Sequence, residues 1–336
     1  MLIKEEREKI MRKILKLIGK ALLVLILLVA VTTIILAVRH NILSKKDAKK
    51  VKNAYGEFYR LSTGEDVNYT FYDSPSEDVA VILPGFGCSS THYEFDALAK
   101  GLSDKYKIVL YEPLGVGLSD QTERERLSEN YCKELHELMC HLGYQNFTII
   151  GHSISGIYSL KYTQMYPNDV KAFIGIDASV PEQVKEAKGL EKPENMVILY
   201  GLLKTLYINT GIQRTLTELS FKKTLETIPT ITDEKDKENA LALSCIHQLN
   251  KTQLAEINDF KINAEDGYDL KFPEQTPVLY ILSNDTIKTS SLDWEDLHSK
   301  LITNKNSKIV KIDGNHYLHT SNLDGVLDTI KGWNYN

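Results

Sequence analysis

The chain has 336 residues, 43% hydrophobic and 25% charged, which suits one large domain or two modest ones with an ordinary globular balance. Its formal net charge of -5 gives no global attraction to DNA or RNA, so nucleic acid is excluded as a partner on charge grounds. The four cysteines, Cys88, Cys132, Cys140 and Cys245, form no CxxC pair, and a chain of this length needs no disulfide framework.

The first element is ALLVLILLVAVTTIILAV, Ala21 to Val38, eighteen residues without a charge between Lys20 and Arg39. A helix needs about 20 residues to cross a hydrocarbon core of about 30 Å, and Leu17 and Ile18 extend the apolar surface while Lys20 snorkels. The reading is an uncleaved, single-pass anchor in the cell membrane, residues 1–43 being basic flank and span. A cleaved signal peptide is the alternative. Seven basic residues precede the span (Lys4, Arg7, Lys9, Arg12, Lys13, Lys16 and Lys20). Arg39, Lys45, Lys46, Lys49 and Lys50 follow it. The richer N-terminal flank favours that end inside and the large domain outside.

Residues 44–66 read as a juxtamembrane segment. FYRLSTGEDVNYTFYD carries a turn at Thr63 to Asp66 and predicts an antiparallel hairpin or edge strands. DVAVILPGFG is a short buried strand ending in a Pro-Gly loop, and YKIVLYEPLGVG repeats the pattern. SSTHYEFDALAKGL between them predicts a helix with a Ser or Thr start and a Gly stop. LSENYCKELHELMCHLGY is an amphipathic helix with Leu135, Leu138 and Leu142 on one stripe. Its Cys132, His136 and Cys140 recur every four residues and could share a face around zinc, but cysteines at this spacing more often pack, so no metal is assigned. NFTIIGHS is a strand, IYSLKYTQMYP a helix stopped by Pro167, and VKAFIGIDAS a strand.

Apolar strands alternating with helices predict an α/β fold with a mostly parallel sheet covered on both faces. The alternation stops near Ser179. Residues 181–270 show helical stretches and no strand, and so read as a helical cap between core segments 67–180 and 271–336. TPVLYILSND restores the strand signature. The helix LDWEDLHSKLIT, the strand SKIVKID and the helix LDGVLDTIKGW close the chain.

Gly151-His152-Ser153-Ile154-Ser155-Gly156 follows a strand and precedes a helix, the setting of a nucleophile elbow. Gly151 and Ser155, two residues to either side of Ser153, are small, as a tight turn requires. A serine hydroxyl needs a base. His316 and His319 lie just past the last strand; His316, in the first loop positions after Gly314, is preferred and His319 is the alternative. A carboxylate must fix the imidazole tautomer. Asp285 ends one strand and is preferred; Asp177 ends another and remains the alternative. The N–H groups of Phe86, in the loop LPGFG, and of Ile154 could together hold an oxyanion. Gly115-Val116-Gly117 lacks the GxGxxG spacing of a dinucleotide loop, so no cofactor is assigned.

From about residue 68 onward these motifs resemble the α/β-hydrolase fold superfamily. Pro84-Gly85-Phe86-Gly87 is similar to its His-Gly-x-Gly loop, with proline replacing histidine. Glu112 to Ser119 is similar to its D-x-x-G-x-G-x-S stretch, with glutamate replacing aspartate. The resemblance implies the chain order nucleophile, acid, histidine, and a helical insertion capping the site. The family usually has one more residue between strand and acid than ILSND offers, which keeps Asp177 open beside Asp285. A serine nucleophile points away from the dehalogenase and epoxide hydrolase branches.

The expected function is a membrane-anchored serine hydrolase cleaving a carboxylic ester of lipid origin through an acyl-enzyme on Ser153, its partners being that small molecule and the bilayer at residues 21–38. An amidase or aminopeptidase of the same fold is the runner-up; it would want an acid in the cap, for which Glu186, Glu191 and Glu194 are available. A catalytically inactive binding module is the third reading. Tyr200, Leu202, Leu203, Leu206 and Tyr207 make the cap apolar, which suits an acyl pocket or simply the cap's own core.

Overall fold

The computed structural model describes residues 2–186, 193–225 and 231–335. Helix α1 (Leu2–Val51) is continuous over 50 residues. Its most apolar stretch is not covered by protein, and it is long and apolar enough to cross a membrane. The helix runs on through the lysine-rich segment to Val51, whose side chain is buried with Tyr93, Phe221 and Leu243.

Eight strands form one sheet: β1 (Glu57–Arg60), β2 (Asp66–Tyr72), β3 (Val79–Leu83), β4 (Lys107–Glu112), β5 (Phe147–His152), β6 (Val170–Ile176), β7 (Val278–Ser283) and β8 (Lys308–Ile312). Their spatial order is β1-β2-β4-β3-β5-β6-β7-β8. β1 and β2 form the expected antiparallel hairpin, Arg60 opposite Asp66, and Gly64 adopts φ +99° in its turn. The hairpin begins inside the stretch read from sequence as juxtamembrane. β2 is antiparallel to β4, and every later pairing is parallel.

The central strands are buried on both faces, which explains their unbroken apolar runs: all six residues of β5 and of β7 are buried. On one face α3 (Ser128–His141) and α4 (Ser155–Met165) close a core with Leu135, Leu138, Tyr158 and Tyr162. On the other, α2 (Thr91–Leu102) and the last helix, α13 (Leu323–Gly332), supply Phe95, Leu98, Val326 and Ile330. The short helices α10 (Asn284–Thr289), α11 (Trp294–Ser299) and α12 (Leu318–Ser321) occupy the connections around β8.

Between β6 and β7 the described residues are helical: α5 (Glu182–Glu186), α6 (Pro193–Leu203), a π-helical turn (Lys204–Ile208), α7 (Ile212–Leu225), α8 (Glu234–Ile246) and α9 (Lys251–Glu265). This helical layer docks on the C-terminal part of α1. The Arg214 guanidinium, with its side chain only 3% exposed, binds Asp47 Oδ2 at 2.7 Å and Ser44 Oγ at 3.0 Å. Arg39 pairs with Glu218 at 2.6 Å, and Lys50 pairs with Glu238. These partners explain why the lysine-rich segment stays helical rather than forming a loose linker.

Candidate active site

Three strand ends converge at the C-terminal edge of the sheet, where open α/β sheets build their sites. β5 runs into Ser153, which holds φ +53°, a left-handed conformation that side-chain-bearing residues adopt at a cost of order 1–3 kcal/mol. The turn closes through Gly156 N–H to Ser153 O at 2.9 Å and Ser179 N–H to the same carbonyl at 2.7 Å. Gly156 is required here, since a Cβ would meet Ser179 O at 2.3 Å. The chain at Ser155 is crowded too: its buried hydroxyl donates to Pro84 O at 2.5 Å, tying the elbow to the glycine loop.

His316 Nε2 lies 3.0 Å from Ser153 Oγ, and its Nδ1 lies 2.7 Å from Asp177 Oδ2. Asp177 follows β6 and is fully buried. Its Oδ1 accepts from Ser283 N–H at 2.9 Å, and its Oδ2 also accepts from Thr286 Oγ1 at 2.5 Å. The arrangement therefore joins Ser153, His316 and Asp177, the last being the alternative acid of the sequence reading.

Asp285, preferred from the sequence, is not at the histidine. It sits in the first turn of α10, its side chain 59% exposed, 3.7 Å from Lys288 Nζ. The reason is local: Ser283 caps α10 by accepting from Thr286 N–H, so the chain turns into helix before an acid can reach inward. The SNDT segment supplies hydrogen-bond donors to Asp177 instead of a carboxylate. His319 is also elsewhere. It is buried, stacked on Phe95, with Nε2 3.1 Å from Glu94 Oε1.

The glycine loop lies over the serine: a Cβ on Gly85 would be 3.1 Å from Ser153 Cβ. Phe86 follows directly, and Ile154 stands at the N-terminus of α4. Both N–H groups thus belong to segments touching the nucleophile position. The Glu112 to Ser119 stretch is tied to the segment just after this loop, Gly117 N–H donating to Ser89 O at 3.1 Å. Glu112 is buried and accepts from Leu118 N–H at 2.7 Å, Ser90 Oγ at 2.8 Å and Tyr55 Oη at 3.0 Å. Burial pushes its carboxyl above the usual range against those hydrogen bonds. Gly117, at φ +55°, must lack a side chain because a Cβ would fall on the Glu112 carboxylate. Of Cys132, His136 and Cys140, the last two meet, Cys140 Sγ lying 3.4 Å from His136 Nε2, while Cys132 turns to a backbone carbonyl. Cys132 Sγ faces Tyr158 O at 3.4 Å, and His136 Nδ1 lies 3.1 Å from Asp169 and is stacked on Tyr166.

One contributor went unread in the sequence. His152, a spacer in the elbow motif, places Nε2 3.1 Å from the backbone carbonyl of His316 and so holds the base's loop. Burial, then the neighbouring His319 and His316, keep it well below the ordinary imidazole value. His92 and His247 are lowered to about 4 by burial. Between those depressed values and about 6.5 the unfolded chain binds protons that the folded chain refuses, so stability falls as pH drops through that window. Thermal melts are expected to show a Tm that declines from about pH 7 to about pH 5, with a shallower decline in His152→Gln.

The sequence profile of the alpha/beta hydrolase fold matches residues 79–322. The chain is 25% identical over 274 residues to the Bacillus subtilis protein "Uncharacterized protein YbdG", covering 81% of each chain. Over 97 residues it is 34% identical to a proline iminopeptidase of Clostridium botulinum, covering 28% of this chain and 33% of that one. Among solved structures, Cfl2 from Burkholderia cenocepacia superposes with a TM-score of 0.67 at 17% identity, over 83% of this chain and 95% of that chain. The elbow, the strand order and the extent of the profile match together make this chain a member of the alpha/beta hydrolase fold family.

Proposed function

We propose that the protein is a membrane-anchored serine hydrolase that cleaves a carboxylic ester of lipid origin. The observation carrying this reading is the continuous hydrogen-bonded line from Ser153 Oγ through His316, at 3.0 Å, to the buried Asp177, at 2.7 Å. Ser153 Oγ attacks the ester carbonyl as its proton passes to His316 Nε2. Asp177 accepts from Nδ1–H, fixes that tautomer and stabilises the imidazolium. The oxyanion of the tetrahedral intermediate is held by the N–H groups of Phe86 and Ile154, each such donor contributing about 3 kcal/mol. His316 then gives its proton to the departing alkoxide, leaving an acyl group on Ser153. A water that loses its proton to His316 releases the acid by the same steps in reverse order.

The anchor is α1, whose uncharged run of eighteen residues extends about 27 Å. Its basic flanks favour a catalytic domain outside the cell membrane. An ester dissolved in lipid meets a tethered site at raised local concentration, which supports the lipid-derived substrate.

The similarity to a proline iminopeptidase over 97 residues favours aminopeptidase action as the second reading. Of the cap acids this would draw on, Glu191 and the side chains of Glu186 and Glu194 lie outside the described residues. Glu256 in α9 already accepts from Tyr158 Oη at 2.6 Å. Two measurements test the proposal. A fluorophosphonate probe is expected to label the wild-type chain and not Ser153→Ala; a folded wild type that stays unlabelled would overturn the serine hydrolase reading. A series of p-nitrophenyl esters from acetate to palmitate, run beside aminoacyl-anilides, is expected to favour the esters. A preference for anilides that vanishes on blocking their α-amine would move the assignment to an aminopeptidase.

A further inference from the structure

Phe221 of α7 packs into the core of the cap, but six other apolar side chains of α6, the π turn and α7 lie outside it. Ile198, Leu202 and Leu206 recur every four residues, and Ile212, Leu216 and Leu219 form a second stripe. All six are exposed, Leu206 at 64% and Leu219 at 77%. An apolar face of this extent marks an interaction surface. The bend between the two stripes fixes where that face lies. Gly211, at φ +78°, packs backbone to backbone on α1: a Cβ there would meet Leu36 O at 2.5 Å and His40 Cβ at 2.9 Å. Leu36 lies within the uncharged run, two residues from its end at Val38, or about 3 Å along the helix. The Arg214–Asp47 and Arg39–Glu218 pairs hold α7 in this position. If Ala21 to Val38 fill the hydrocarbon, the bend at Gly211 is at the lipid surface. Lys204 on the π turn and Lys45, Lys46 and Lys49 beyond the span suit the phosphate layer. The same helix reaches the site, because the Tyr200 ring stands edge-on to Phe86 with centroids 6.5 Å apart.

We propose that the face formed by Ile198, Leu202, Leu206, Ile212, Leu216 and Leu219 is a second lipid-contacting surface, which seats the cap on the bilayer beside the exit of α1 and opens the route to Ser153 toward lipid. This rests on the reading of α1 as an anchor. Each added-tryptophan variant, Leu206→Trp, Leu25→Trp and Phe58→Trp, is made in the whole chain and reconstituted in phosphatidylcholine vesicles with or without bromine on the acyl chains. The native Trp294 and Trp333 are buried and give a constant background. Leu25→Trp, inside the span, and Leu206→Trp are expected to lose most of their added emission in brominated lipid, while Phe58→Trp, exposed on edge strand β1, keeps its own. Quenching at Leu25 without quenching at Leu206 overturns the lipid face and leaves the anchor. A blue-shifted but unquenched Leu206→Trp overturns it in favour of a protein partner or second copy. Equal quenching at Phe58 and Leu206 removes the assignment to this face. No quenching at Leu25 removes the anchor reading and this one with it. In the same vesicles, Leu206→Asp combined with Leu219→Asp is expected to slow hydrolysis of a membrane-embedded ester several-fold while leaving turnover of soluble p-nitrophenyl acetate unchanged. Equal turnover of the embedded ester by this variant and wild type would also overturn the proposal.

Discussion

Ser153→Ala and His316→Ala are each expected to lower kcat on a p-nitrophenyl ester by about 10⁶-fold, and the double substitution by little more, because the two groups act as one unit. Without the hydroxyl no acyl-enzyme forms. Without the imidazole, the hydroxyl keeps its proton and the leaving alkoxide finds no acid. What remains is catalysis by the N–H groups of Phe86 and Ile154 and by substrate positioning. Steady-state rates on the three variants check this, with far-ultraviolet circular dichroism to establish folding. His319→Ala is the informative control. His319 is buried against Phe95 and bonded to Glu94, so its loss should lower Tm while costing kcat far less. Additive losses in the double variant, or a severe kcat effect at His319 with a mild one at His316, would reassign the base.

The parts of the molecule that were legible in the sequence are those fixed by short-range rules. The alternation of apolar strands and helices predicts the sheet because central strands buried on both faces are dominated by apolar residues. The elbow is readable because Gly151, Ser155 and Gly156 are small for a local reason, the crowding of β5, α4 and the Ser179 backbone. His316 is readable because the chain after β8 offers only a short loop at the correct edge of the sheet.

The features that were not legible depend on contacts distant in sequence. Asp177 and Asp285 each follow a strand, and nothing nearby says which turn folds toward the histidine. The answer lies in Ser283 and Thr286, more than a hundred residues from Asp177, which bond to its two oxygens. The docking of α1 on α7 depends on Arg214 finding Ser44 and Asp47 about 170 residues away, and this is why a helix rather than a linker spans that region. His152 escaped notice because its contribution is a bond to a backbone carbonyl, for which no side-chain pattern exists.

Asp177→Asn is expected to reduce kcat by about 10⁴-fold, with Asp285→Asn close to wild type. The argument is one of donors and acceptors. Oδ1 of Asp177 must accept from the Ser283 N–H, which cannot rotate away, so the amide of an asparagine turns its oxygen there and its NH₂ toward His316. An NH₂ facing Nδ1 demands an unprotonated Nδ1. The ring proton then sits on Nε2, pointing at Ser153 Oγ 3.0 Å away, and the base has nothing with which to take the serine proton. The Thr286 hydroxyl can rotate to donate elsewhere, so the geometry survives while the tautomer is wrong. Asp285 offers no such leverage: its side chain is 59% exposed, and its ion pair to Lys288 at 3.7 Å is a surface contact worth about 0–1 kcal/mol. Rates for the two variants, measured beside their melting temperatures, separate the alternatives. A severe loss at Asp285 with a mild one at Asp177 would return the acid to α10 and require the turn after β7 to unwind from its Ser283 cap during catalysis.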